Sequence, residues 1–280
     1  MNRYLRIIIF LSAVLITACE DVIDVDVQTV PPRLTIEASL DWEKGTTGNE
    51  QTIKLSTSTP YFDITSNTGV NDATVKVTND DSLDEFVFVN QNNGTYTSSS
   101  FVPVVNQSYT LEVLYNGERY SATETLTPVV DIAEVFQSNQ GLGGLDNNAL
   151  EVNVSFDDPV DINNYYLIKF KEQGDLLPRL DYTDDEFRDG NRIEVFYEKY
   201  KEADEDEFIP GDIVDINFFG ISRDYYNYVK LLIIQSGGNG LFGQTPAIVK
   251  GNCINIDNTD NYAHGYFRLT QVVRTNYTFQ

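Results

Sequence analysis

The sequence predicts a mainly β protein: an N-terminal transthyretin- or Ig-like β-sandwich followed by an antiparallel β domain that carries one α-helix. Three observations predict it. Short segments alternate apolar and polar residues with period two along most of the chain, the pattern of half-buried strands. Asn-Gly and Asn-Asn-Gly steps fall between them, as tight hairpins require. One stretch, residues 222–236, instead repeats its apolar side chains at helical steps.

Pro31-Pro32 ends a polar leader, and strands are expected at 33–40, 52–56, 73–77, 85–89, 95–97, 109–115 and 119–124. Asn116-Gly117 between the last two is the clearest hairpin in the chain. Seven short strands at this spacing make a sandwich over residues 31–127. Leu126-Thr127-Pro128 reads as its exit. The second domain, 128–280, shows strands at 150–156, 165–170, 192–196, 213–218 and 266–273. Gly/Asn-rich or acidic loops lie at 139–148, 174–191 and 202–207. Ser222 is a fitting N-cap for the helix, and Asp224 complements the positive end of its dipole. Tyr225, Tyr228, Val229, Leu232 and Ile233 form the expected apolar stripe, and Gly237-Gly238 closes the helix.

Residues 1–18 read as a signal peptide. Arg3 and Arg6 precede a ten-residue apolar-rich run, 7–16, within the roughly 7–15 of a signal core and short of the roughly 20 that span a bilayer. Ile16-Thr17-Ala18-Cys19 fits a lipobox, so Cys19 is the expected site of lipidation and of attachment to a membrane. Residues 19–30 then form an acidic tether, a composition that stays solvated beside anionic headgroups. The acidic start after the lipidated cysteine points to exposure at the cell surface, with the periplasmic face as the alternative.

The chain carries 43 acidic and 19 basic residues, a net charge of −24. Such a surface repels nucleic acid and suits a cation or a basic partner. With Cys19 lipidated, Cys253 is left without a disulfide partner, so stability must come from a hydrophobic core. Cys253 sits in a strand-like stretch and reads as a core residue.

No catalytic residues are expected. The one histidine, His264, lies in a turn-like sequence, and zinc or serine-hydrolase motifs are absent. Acidic pairs such as Asp157-Asp158 read as solvated loops. Loops bearing Asp184 and Asp185, and Asp257 and Asp260, offer the oxygens a structural Ca²⁺ takes, without EF-hand spacing. Trp42, Tyr61 and Phe62 are the candidate ligand-binding aromatics, next to loops of the first domain.

A family resemblance rests on several of these segments. Cys19-Glu20-Asp21-Val22-Ile23-Asp24-Val25-Asp26 and Ser58-Thr59-Pro60-Tyr61-Phe62 resemble the C-E-x-x-I-D-L-D and S-x-P-Y-F motifs of an uncharacterised family of Gram-negative outer-membrane lipoproteins. Val70-Asn71-Asp72-Ala73-Thr74-Val75, Gly94-Thr95-Tyr96, Ser222-Arg223-Asp224-Tyr225-Tyr226 and Gly265-Tyr266-Phe267 extend the match. Genes of that family often lie near TonB-dependent receptors, so the resemblance implies a non-enzymatic accessory of such a nutrient receptor. A stand-alone adhesin or glycan-binding module is the alternative, and a carboxylate-based hydrolase a third reading.

Overall fold

In a computed structural model, residues 31–60, 68–139, 149–199, 207–236 and 249–280 are described. The first half builds two facing sheets. One holds β1 (Leu34–Glu43), β2 (Gln51–Thr57) and β5 (Thr95–Ser98) in that order. The other holds β4 (Glu85–Asn90), β3 (Thr74–Asn79), β6 (Ser108–Tyr115) and β7 (Glu118–Thr125), and the end of β4 also pairs with β5 at Val89↔Thr97, so the two sheets are continuous at that edge. Strict alternation turns Ile36, Ala38 and Leu40 of one sheet toward Val75, Val77, Leu111 and Val113 of the other, and all are buried in one core. At the Asn116-Gly117 turn φ is 52° and 79°, the doubly positive geometry of a type I′ hairpin. At the start of β6 the Tyr109 hydroxyl donates to Val102 O (2.8 Å) and accepts from Val104 N (2.8 Å). That is the tyrosine corner of Ig-like sandwiches.

The second half repeats this plan. β8 (Ile132–Ser138), β9 (Glu151–Asp157) and β12 (Arg192–Glu198) form a three-stranded sheet. It faces β11 (Arg179–Asp184), β10 (Tyr165–Glu172), β13 (Ile213–Ile221) and β15 (His264–Thr278). Taken in chain order, the first, second and fifth strands of each half share the smaller sheet. The fourth, third, sixth and last share the larger. Phe156 packs on Phe218 and Tyr166 at ring distances of 4.5 and 4.7 Å in this second core. The expected antiparallel β domain is thus itself a two-sheet sandwich.

The join between the halves lies in β15. Its first part pairs in parallel with β1, from Thr35↔His264 to Glu43↔Val272. Its second part pairs antiparallel with β13, from Phe219↔Val272 to Ile213↔Thr278. Val272 is the hand-over, and the strand is about 50 Å long at ~3.4 Å per residue. Phe267 and Leu269 therefore belong to the first core, although they lie far beyond Thr127, where the sequence suggested a boundary. Cys253 and Ala263 belong to it too. The connecting segment is pinned to the same strand, with Thr127 N donating to Leu269 O (3.2 Å) and Gln271 N to Thr127 O (2.9 Å). Gly220 makes this crossing fit, since a Cβ there would lie 1.8 Å from Pro128 O. By contact, Pro32–Gln280 is one compact unit.

Between β13 and β15 the chain makes α1 (Arg223–Ser236) and β14 (Ile254–Asn255), which adds to the edge of β7. Ser222 caps the helix as expected, its Oγ accepting from Tyr225 N at 3.2 Å. Of the expected stripe, Tyr225, Tyr228, Val229 and Ile233 pack in the core cluster, and Tyr226 joins them. Tyr226 and Val229 are the buried pair, whereas Leu232 is 37 % exposed. Tyr226 is held there by a polar contact the periodicity could not show: its hydroxyl donates to Asp184 Oδ2 at 2.7 Å. Its ring packs on Tyr165 and Tyr182.

Candidate functional site

The β10–β11 hairpin and α1 enclose a half-open polar cleft of about 370 Å³. One wall is acidic, with Asp184, Asp185 and Glu186 from the end of β11. The other is one face of α1, where Arg223, Asn227 and Lys230 recur at i, i+4 and i+7. Tyr165 and Tyr226 stand between them. Burial, then the Asp184 carboxylate, push the Tyr226 phenol well above its ordinary range, so it stays a donor. Among the described residues neither Arg223 nor Lys230 makes an ion pair, so opposite charges face each other across the opening. Such a cleft can orient a polar or zwitterionic ligand.

Behind the acidic wall, carboxylate oxygens of Asp158, Asp185 and Asp189 lie within 4.8 Å of one another, and the first two side chains are buried. This is the described group that could hold a cation. Its oxygens already accept from the chain. Asp158 Oδ1 takes the Tyr166 hydroxyl (2.7 Å) and Oδ2 takes Gly190 N (3.2 Å). Asp185 Oδ2 takes Asn164 N (2.8 Å), and Asp189 Oδ1 takes Asp161 N (2.9 Å). The three aspartates tie the loop after β9 to the loop after β11.

A second cluster lies where the two halves meet. Glu124 of β7 is largely buried beside Ser222 and Tyr266, and its Oε2 has no partner. Desolvation raises its carboxyl to about 7, and nearby Asp224 adds to the shift. Tyr266 packs edge-on against Tyr225 at 4.9 Å and tilted against Tyr228 at 4.8 Å. On the far side of Tyr225 the buried Arg268 guanidinium sits 5.0 Å from that ring and 4.8 Å from Phe219. It also pairs with Asp41 at 2.7 Å.

The sequence candidates meet different fates. Cys19, Tyr61 and Phe62 lie outside the described residues. Trp42 is half-buried and packed against the first core, and its Nε1 donates to Thr46 O (2.9 Å), so it pins the turn after β1. Asp184 and Asp185 line the cleft, but only Asp185 joins the three-carboxylate group. Asp257 accepts from Arg119 N (2.7 Å), and the Asp260 carbonyl accepts from Arg33 (2.8 Å). Asn255, Asn258 and Asn261 of that loop turn their amides onto Glu118 and hold its carboxyl below the usual range. The loop is a clasp for Glu118, and its carboxylates do not converge.

Asp158 and Asp189 were not among the metal candidates. They lie about thirty residues apart, and the only hint was the Asp157-Asp158 pair. Cys253 is buried, with its thiol pushed up to about 12 by desolvation. His264 packs edge-on to Tyr262 at 5.5 Å. No nucleophile–base pair is assembled among the described residues.

The short motifs behind the family resemblance pair up in space. Gly94 N donates to Asn71 Oδ1 (2.7 Å), and the Tyr96 hydroxyl bridges Val70 O and Ala73 N (both 3.1 Å). Residues 222–226 pack on 265–267 through the tyrosine cluster above.

Among solved structures, the chain is similar to a cytokine receptor complex, at 9 % identity over 88 % of this chain and 95 % of that one, with a TM-score of 0.27. A two-domain fibronectin type III segment of chicken tenascin matches at 12 % identity over 68 % of this chain and 90 % of that one, TM-score 0.21. The chicken CNTN1 FN1–FN3 domains match at 11 % identity over 69 % and 63 %, TM-score 0.25. The strand pairing above, and not these low-scoring superpositions, carries the sandwich assignment. No curated protein matches the chain. The family described as "Domain of unknown function (DUF4249)" matches residues 20–276. The chain belongs to that family.

Proposed function

We propose that the protein is a lipid-anchored lipoprotein of the outer membrane, exposed at the cell surface, that serves without catalysis as a binding accessory of a TonB-dependent nutrient receptor. The observation that carries this reading is the lipobox ending at Cys19, followed directly by an acidic tether. Three acyl chains on that cysteine anchor the body stably, where one chain holds only marginally. The cleft between Asp184–Glu186 and Arg223–Lys230 supports a binding role, because it presents charge of both signs without a catalytic pair. Affinity isolation of the tagged protein from outer membranes in mild detergent tests the reading. A β-barrel receptor in fixed stoichiometry is the expected companion, and recovery of the lipoprotein alone counts against the accessory role.

A stand-alone glycan-binding module is the second reading. It is favoured by Tyr165 and Tyr226 lining the cleft beside the amides of Asn163 and Asn227. Binding of the purified protein to glycan arrays, lost in Asn227→Ala, would support it.

A further inference from the structure

The outer face of the three-stranded sheet of the second sandwich departs from the rule for such sheets. One face of β9 turns Val152, Val154 and Phe156 into the core. The other face, which in a sandwich meets solvent, carries Glu151, Asn153 and Ser155. These are 0 %, 0 % and 1 % exposed. Three of their atoms, Glu151 Oε2, Asn153 Oδ1 and Ser155 Oγ, are buried without a hydrogen-bond partner. Two donors of this row are used inside it, and the Ser155 hydroxyl is left without a partner. The Asn153 amide donates to Ser138 Oγ (3.1 Å), and the Ser138 hydroxyl donates to Glu151 Oε1. Glu151 Oε2 and Asn153 Oδ1 can only accept and have no donor, and a buried acceptor without one costs free energy comparable to a lost hydrogen bond.

The neighbours define the missing group. Phe136 on β8 and Phe196 on β12 are both in register with Asn153, one on each side, and both are half-buried. Next along, Glu134 and Glu194 flank Ser155 and are exposed. Among the described residues the base of this face, Arg192, is held by a bidentate pair to Asp157 (2.8 and 3.1 Å). The face is therefore acidic, rich in acceptors and walled by two aromatic rings.

We propose that this face docks a basic segment of a partner protein, an arginine of which lies between Phe136 and Phe196 and donates to Glu151 and Asn153. A guanidinium fits on three counts: five donors in one plane, weak hydration, and a flat face that stacks on rings. A divalent cation does not fit, because it needs oxygens converging at about 2.4 Å, and side chains two residues apart leave a strand at about 7 Å spacing. The two rings lie on the opposite side of the sheet from Val152, Val154 and Phe156, so they part without opening the core. The docking face is independent of the cleft and of the receptor role.

The test uses the purified full-length protein and two capped tripeptides, acetyl-Gly-Arg-Gly-amide and its citrulline counterpart, which keeps the shape and loses the charge. Saturable binding of the arginine peptide is expected, with the citrulline peptide weaker by about tenfold or more. Glu151→Gln should weaken the arginine peptide by a similar, roughly tenfold factor. Phe196→Leu, at a half-buried surface position, should weaken it as well and carries the test if Glu151→Gln does not fold. Glu37→Gln, exposed on the first sandwich, should leave binding unchanged, which separates docking from general attraction to an acidic chain. Equal binding of both peptides, or an affinity untouched by Glu151→Gln and Phe196→Leu, overturns the proposal. So does a Glu151→Gln protein that melts higher while the wild type binds no peptide, since the row would then be an internal conflict only.

Discussion

Asp158 accepts a buried tyrosine hydroxyl with one oxygen and a backbone amide of a distant loop with the other. Replacing it with alanine leaves the Tyr166 hydroxyl without its acceptor beside the second core. Asp158→Ala should therefore lower stability by about 3 kcal/mol, read from denaturant unfolding. The loss should be the same in calcium and in EDTA if the three aspartates act as loop ties; a calcium-dependent loss would assign them a bound cation. Glu124 gives the pH signature. Its folded carboxyl is raised to about 7, so the folded state holds the proton more tightly than the unfolded chain does. Its contribution is complete below the ordinary carboxyl range and is lost as pH rises through about 7. Melting temperature should fall over that window, and Glu124→Gln should remove this part of the fall. Neither residue stood out in the sequence. Asp158 looks like any acid in an acidic loop, and Glu124 occupies an outward position of an alternating strand. Asp158 takes one of its two partners from a loop thirty-two residues on, and the neighbours of Glu124, Ser222 and Tyr266, lie about a hundred residues or more away.

Elements were legible where the physics is local. The β6–β7 hairpin follows from Asn116-Gly117, and the helix start follows from Ser222 and Asp224. The place of Tyr226 in the buried face did not follow, because it rests on a bond to Asp184, forty-two residues away. Strands buried on both faces were harder still. β9 and the first part of β15 bury nearly every residue, although β9 still alternates polar and apolar residues, so the sequence does not show which neighbours cover them or that both faces are covered. Gly265 shows what β15 requires. Its φ is +91°, and a Cβ would lie 2.1 Å from Ile36 O across the parallel pair. Gly265→Ala should cost more than about 3 kcal/mol, through both the strained backbone and the clash. A loss below about 1 kcal/mol in chemical denaturation would show that β1 and β15 separate easily.

For the whole molecule, composition and turn spacing were enough for a β-rich, acidic sandwich protein. They could not give the pairing of residues 35–43 with 264–272, because parallel neighbours so far apart in sequence leave no local trace. That pairing makes one strand serve two cores, and it carries the segment holding the helix, the cleft and the tyrosine cluster back onto the first sandwich. The consequence is cooperative unfolding: neither sandwich should melt while the other persists, because each loses a wall of its core when β15 leaves. The chain's one tryptophan, Trp42, sits on β1 in the first sandwich, while far-ultraviolet circular dichroism reports strands of both. Equilibrium urea unfolding followed by these two signals is therefore the most direct test. Superimposable curves with one midpoint are the predicted result. A tryptophan transition separated from the dichroism transition would mean two independently stable domains, and would contradict the shared strand as the join that holds the body together.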